Sequence, residues 1–255
     1  MLRYKGEIPY FITPRLASFP GLSHAFLTRK GPHGELNFGR DSPDAGERPA
    51  ANAELLSREF TFLVPIVLAR QVHGGEVLVL DRHPEESSFP SVGDALITDR
   101  PQLPLAVLTA DCLPIILYDP HRRAVGIVHS GWQGTWLDIA VNTVDALKQT
   151  YGCWPQDLLA ALGPAIGPCC YSLRGKALTS IKSRAQFSRF CLPRVQGDQY
   201  FDILGANAYA LRKAGIPADN IFTLGLCTHC RADLFYSYRR EGSAAGRQLS
   251  FVMLR

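Results

Sequence analysis

No long uninterrupted apolar run occurs in this sequence. The longest, residues 103–118, is broken by Pro104, Asp111 and Pro114, whereas a membrane-crossing helix needs roughly 20 apolar residues. The first twenty residues lack the continuous apolar core of a secretory signal. Lysine and arginine never form a stripe interleaved with aromatics. Arg122-Arg123 and Arg239-Arg240 are only pairs, so a net charge of +4 is no nucleic-acid footprint. Internal repeats, low-complexity tracts and the phosphate-cradling pattern GxxxxGK[ST] are also missing. Seven cysteines, an odd number, cannot all pair as disulfides. Thiols kept reduced ligate metals, catalyse or pack. A cytoplasmic protein with no membrane or nucleic-acid partner is expected.

What is present is ordinary globular material: 46% of the 255 residues are apolar. No linker divides the chain, which predicts one domain over residues 1–255. Polar, proline- and glycine-rich stretches at 31–48 and 81–93 read as long loops, often functional at that length. Strand-like segments fall at 64–72 and 76–80, flanking Gly74-Gly75 as a hairpin or bulge. Others fall at 95–98, 105–109, 114–118, 124–128, 158–162, 221–224 and 248–253. Apolar residues at steps of one, three and four (Trp136, Leu137, Ala140, Val141, Val144, Leu147, Tyr151) predict a helix over 135–151. A second helix is predicted at 203–213, capped by Asp202 and ended by Gly215. The pattern predicts an α/β (α+β mixed) fold, a single domain of mixed β-sheets flanked by helices.

Three polar residues close apolar strands: His73 after 66–72, Cys112 after 105–110, and His129 after 124–128. Two imidazoles and a thiolate form a set that zinc accepts. Their separations, 39 and 17 residues, follow no metal-binding spacing. Three separate structural residues are therefore the alternative reading. A rival cluster combines Cys227-Thr228-His229-Cys230 with Cys169-Cys170. It reads first as packing cysteines, with a four-sulfur zinc site or a redox dithiol as the alternatives, because vicinal thiols bite a tetrahedral ion poorly. The segment 233–242 alternates Phe235, Ser237 and Arg239 with Tyr236, Tyr238 and Arg240. That pattern predicts an extended stretch whose arginine forks suit phosphate or carboxylate, or a solvated salt-bridged edge.

Taken together, Gln71-Val72-His73-Gly74, Asp94-Ala95-Leu96-Ile97-Thr98, Ala110-Asp111-Cys112-Leu113-Pro114, His129-Ser130-Gly131-Trp132, residues 163–171 and 227–247 appear in an order that resembles the YfiH/LACC1 family. That family has long been labelled multicopper polyphenol oxidoreductase or laccase. The likeness runs from about Phe26 to Phe251. It implies that His73, Cys112 and His129 are catalytic residues and bind Zn2+. It also implies a purine nucleoside enzyme: phosphorolysis of adenosine, inosine, guanosine and methylthioadenosine, and deamination of adenosine. Purine nucleosides and phosphate are then the partners, and a monomer or weak homodimer is the expected assembly. The family usually shows His-Ala-Gly-Trp-Arg-Gly, and Gln133 here removes a fixed positive charge while leaving the ligand positions intact.

Three protein ligands leave a fourth zinc position open, the catalytic arrangement. Deamination then calls for a carboxylate to carry a proton. Asp111, next to Cys112, is the expected carrier, with Asp94 second. Phosphorolysis calls for an anion site, expected at Arg239 or Arg240. Asn37 and Arg40 are expected to bind substrate because their loop precedes the ligand strands. Alternative readings are a peptidoglycan-precursor editing factor with amidase-like chemistry, a copper-dependent polyphenol oxidase, and a structural zinc domain closed by Cys170 or Cys227. The laccase label sits poorly with seven histidines in all, of which His24, His33, His83 and His121 fall in apparent loops, since a multicopper site uses about ten given copper's preference for imidazole. Cu2+ can still displace Zn2+ in vitro.

Overall fold

A computed structural model describes residues 1–39, 48–82, 91–193 and 199–255. Two six-stranded sheets face each other. The first runs, in spatial order, Leu2–Lys5, Ile8–Phe11, Leu22–Leu27, Gln248–Leu254, Leu105–Thr109 and Val67–Leu68. The second runs Ile221–Thr223, Leu159–Leu162, Leu113–Asp119, Ala124–Ser130, Ala95–Thr98 and Val77–Val79. Pairing is antiparallel except for three short parallel strands: Val67–Leu68 and the two edges of the second sheet.

Period-2 alternation explains the layers, because successive strand side chains point to opposite faces. Leu96, Ile116, Tyr118, Val125, Ile127, Leu159 and Ala161 meet Phe26, Leu105, Val107, Val252 and Leu254 between the sheets. Their neighbours Ala95, Ile97, Ile115, Leu117, Val128, Ala160 and Leu162 face the other way. There they pack on helices Ile139–Tyr151 and Ile203–Lys213 through Val144, Leu147, Ala206 and Leu211. On the far face of the first sheet, Ala25, Leu27, Phe251 and Met253 pack against Leu56 and Phe60 of helix Arg48–Phe60. The result is helices, sheet, sheet, helix. Because both faces of the central strands are covered, they are buried at every residue and read as solid apolar runs.

Four expectations change. Residues 64–80 do not form a hairpin about Gly74-Gly75. Val67–Leu68 joins the first sheet and Val77–Val79 the second, so the chain crosses between sheets at His73. The helix predicted over 135–151 is two: Trp132–Trp136 and Ile139–Tyr151, divided at Asp138, whose φ is +57°. Trp136 and Leu137 are consequently exposed rather than part of the buried face. The segment 233–242 is not extended throughout. Ser237 accepts the Arg240 N–H and caps a turn of helix, Tyr238–Glu241, while Phe235, Tyr236 and Ser237 are all buried. His24, expected in a loop, lies buried in strand Leu22–Leu27. The helix Ile203–Lys213 forms as predicted, with the Asp202 carboxylate accepting the Gly205 N–H at 2.9 Å. Among the described residues no helix is long and apolar enough to cross a membrane.

Candidate functional site

The crossing between sheets is where the sequence places its most reactive groups. His73 sits on the connecting segment, Cys112 in the turn from strand Leu105–Thr109 into Leu113–Asp119, and His129 near the end of Ala124–Ser130. Each offers one ligand atom, and the three lie within 4.8 Å of one another. Cys112 Sγ is 3.7 Å from His73 Nε2, and the two imidazole rings meet edge to face at 4.8 Å. His129 is buried, Cys112 half-buried and His73 exposed, so the cluster opens to solvent on the His73 side.

Two carboxylates hold this geometry. Asp94, buried at the head of its strand, accepts N–H groups from Val72 (3.1 Å), His73 (2.9 Å) and Gly74 (2.7 Å). The same carboxylate lies 2.7 Å from His129 Nδ1. That contact leaves Nε2 of His129 as its outward donor atom, the arrangement that orients metal-binding histidines. It also fixes His73, whose φ of +59° is costly for a residue with a Cβ. Asp111 likewise has φ +93°. Its oxygens accept from Thr228 Oγ1 (2.6 Å), Ser237 Oγ (3.0 Å) and the Arg239 N–H (2.6 Å). The expected proton carrier thus has its carboxylate engaged by three donors from the 228–239 segment.

Other residues complete the frame. Gln71 bonds both backbone groups of Leu108, each at 2.8 Å, tying the His73 segment to the strand that leads to Cys112. A Cβ on Gly131 would stand 3.0 Å from both Cys112 Sγ and His73 Cδ2, so only glycine leaves the cluster its room. Behind it, Asn207 Nδ2 donates to Thr135 Oγ1 (2.9 Å) and Asn207 Oδ1 accepts from Ser130 Oγ (3.0 Å). This buried network locks the end of strand Ala124–Ser130 to helix Ile203–Lys213. None of these roles is visible in sequence, because each partner is distant along the chain. Only the Gln71–Gly74 and His129–Trp132 motifs mark where to look.

The electrostatics agree with a poised thiolate. Burial alone would push Cys112 up; the neighbouring His129 charge and hydrogen bonds from His129 and His73 outweigh it and bring it down to about 6. Burial would lower His129, yet the Cys112 thiolate and the Asp94 hydrogen bond raise it to about 9. Asp94 is held below its ordinary value: its bonds to His129 and to backbone N–H groups outweigh burial. Tyr171 is pushed up by burial and by the Cys112 and Asp111 charges.

The remaining predicted contacts are mostly occupied. Asn37 Oδ1 accepts the Gly39 (2.9 Å) and Arg247 (2.8 Å) N–H groups. Arg240 spends its guanidinium on the Thr228, His229 and Phe235 carbonyls and on Glu241. Arg239 is exposed but bonds Ser172 Oγ (2.8 Å) and the Ser172 carbonyl (2.9 Å), and lies 5.4 Å from the Tyr171 ring centre. Arg40 lies outside the described residues. Cys170 and Cys227 belong to a separate group with Cys169 and Cys230. Neither closes the fourth position beside His73, as a purely structural zinc domain there would require.

This is a mixed α/β protein that brings a carboxylate-braced His–Cys–His cluster, a possible metal site, to the junction of its sheets. Residues 23–255 match the family profile described as Multi-copper polyphenol oxidoreductase laccase, and the chain belongs to that family. It is 36% identical over 189 residues to mouse "Purine nucleoside phosphorylase LACC1", covering 72% of this chain and 42% of that protein. It thus spans about two-fifths of that relative's length. Against "Purine nucleoside phosphorylase YlmD" of Geobacillus stearothermophilus it is 34% identical over 233 residues, 88% of this chain and 85% of the relative. The crystal structure of Bacillus licheniformis hypothetical protein YfiH superposes with a TM-score of 0.88 at 30% identity, covering 100% of this chain and 99% of that one.

Proposed function

We propose that the protein is a zinc-dependent purine nucleoside phosphorylase acting at His73, Cys112 and His129, which also deaminates adenosine. The observation that carries this is the cluster of two imidazoles and one thiolate, braced by Asp94 and open on one side. The names of its relatives supply the substrate class.

The donor set fits zinc: nitrogen, sulfur and nitrogen, with a carboxylate behind one histidine and no Cβ on Gly131 to crowd the sulfur. Bound there, zinc would act as a Lewis acid toward phosphate or the purine. The chain's own groups do the rest. Phosphorolysis breaks the bond from C1′ of the ribose to the purine nitrogen and forms a C1′–O bond to phosphate, and the base leaves with a proton. Holding the reactants in line supplies most of what such a transfer needs. The exposed Arg239, 5.4 Å from the Tyr171 ring centre, is the anion contact. Arg240, bonded on all sides, keeps the Thr228–Glu241 segment in place. Asp111 is a positioning residue: it anchors that segment and holds the turn from which Cys112 projects.

A multicopper oxidase reading finds less support. Among the described residues, neither group of clustered ligands contains more than two histidines. Buried His24 instead accepts the Thr13 N–H at 3.0 Å.

The test incubates zinc-bound protein with inosine plus phosphate, and with adenosine with and without phosphate, and separates the products. Hypoxanthine and ribose 1-phosphate are expected in the first tube. Adenosine should give adenine with phosphate and inosine without it. Unchanged nucleoside in every tube, with the ion confirmed at His73, Cys112 and His129, overturns the assignment.

A further inference from the structure

Four cysteines that the nucleoside site does not use meet elsewhere. Cys169 and Cys170 lie in a tight turn, where the Cys170 and Tyr171 N–H groups both donate to the Gly167 carbonyl at 2.9 and 3.0 Å. Adjacent residues in a turn are free of the strand rule that sends neighbours to opposite faces, so both thiols reach one point. Cys227 and Cys230 sit on a second turn, closed by the Arg231 N–H to the Cys227 carbonyl at 3.0 Å. A bridge between Ala165 and Cys227 lays the two turns side by side. Cys230 Sγ is 3.4 Å from Cys170 Sγ and 3.6 Å from Cys169 Sγ, and all four sulfurs lie within 4.8 Å of one another.

We propose that Cys169, Cys170, Cys227 and Cys230 form a closed tetrathiolate zinc site, separate from the open His–Cys–His site. A tetrahedral ion with zinc–sulfur bonds of about 2.3 Å sets its sulfurs about 3.8 Å apart, within the range found here. Sulfurs joined in a disulfide are only about 2.05 Å apart, and all seven cysteines are free. Cys227 Sγ also accepts the Gly167 N–H at 3.2 Å, a hydrogen bond that favours the thiolate a metal needs. Soft sulfur donors select zinc over hard ions such as magnesium or calcium. Four protein ligands leave no position for substrate, so the role is structural.

What the ion would clamp is specific. The Cys170 turn receives the Arg239 guanidinium at the Cys170 carbonyl (3.4 Å) and at Ser172. The Cys227 turn carries Thr228, which donates to Asp111, and two carbonyls that receive Arg240. Both turns thus end on groups that hold the residue preceding Cys112. The site fixes one wall of the nucleoside site without entering it.

Native mass spectrometry of protein purified under reducing conditions without chelator tests this. Wild-type protein should carry two zinc ions. The Cys169→Ser/Cys230→Ser variant should carry one, and the His73→Ala/Cys112→Ala variant should also carry one. Replacement by cobalt distinguishes the sites: the strong sulfur-to-cobalt charge-transfer absorption of four thiolates should persist in the second variant and vanish in the first. If the cysteine variant fails to fold, mercurial titration of the His73→Ala/Cys112→Ala protein should release its single zinc as four thiols are modified. A His73→Ala/Cys112→Ala protein that carries no zinc, or a disulfide among these four residues in freshly reduced protein, overturns the proposal. The count stands or falls independently of nucleoside turnover.

Discussion

At the scale of the residue, the site depends on side chains held by partners far away in sequence. Asp94 is the clearest case, since one carboxylate orients the His129 ring and the backbone on both sides of His73. Asp94→Asn keeps the size but weakens the acceptor toward four N–H groups. Loss of such a support typically lowers metal affinity 10–100-fold, and a competition titration with a chromophoric chelator should read that loss. Unchanged affinity would make Asp94 merely structural. His24 gives a prediction about acid. Burial, with help from the N-terminal ammonium, lowers its pKa to about 4 from an ordinary 6.5. The unfolded chain therefore binds a proton in that window that the native state refuses, and stability falls as pH drops from 6.5 toward 4. The loss amounts to about 3 kcal/mol, at about 1.4 kcal/mol per pKa unit. His24→Gln keeps an acceptor for the Thr13 N–H and should flatten the fall in urea midpoint across that range. An equally steep fall in the variant would assign the acid sensitivity elsewhere.

At the scale of the element, legibility followed burial. Leu113–Asp119 and Ala124–Ser130 are covered on both faces and stand out as apolar runs, and the Ile203–Lys213 helix announces itself by Asp202 and Gly215. Leu2–Lys5 is exposed at every position, so it carries no such pattern. The false hairpin at Gly74-Gly75 arose because local sequence cannot say that two neighbouring strands pair with different sheets. The break at Asp138 was hidden for a related reason: periodicity continues through a residue whose backbone has turned left-handed. The three positions of the His–Cys–His cluster stand at strand ends visible in the sequence, and the family resemblance joins them into one site. Their bracing was not visible, because Asp94 and His129 are 35 residues apart and Asp111 and Ser237 are 126 apart. Close packing between elements adds a further prediction. A Cβ on Gly163 would stand 2.4 Å from the Phe26 ring and 2.8 Å from Pro114, where the two sheets touch. Overpacking of this kind costs roughly 1–3 kcal/mol. Gly163→Ala should therefore lower the denaturant midpoint, whereas a midpoint equal to wild type would mean that the sheets part there at no cost.

At the scale of the whole molecule, the fold brings two sheet-to-sheet crossings, at His73 and Cys112, together with the strand end that carries His129. The sheets supply a rigid base, strained residues at His73 and Asp111 are pinned by carboxylate networks, and the paired-cysteine turns brace the wall behind Cys112. If the proposed function holds, metal occupancy of the His73–Cys112–His129 cluster governs nucleoside cleavage. The direct measurement compares phosphate-dependent release of hypoxanthine with zinc bound at that cluster. Samples would be wild-type protein at graded metal loading and the Cys112→Ala variant. Rate should rise in proportion to occupancy and be absent in Cys112→Ala. A Cys112→Ala protein that lacks the ion yet cleaves inosine at the wild-type rate would show that the cluster does not govern cleavage.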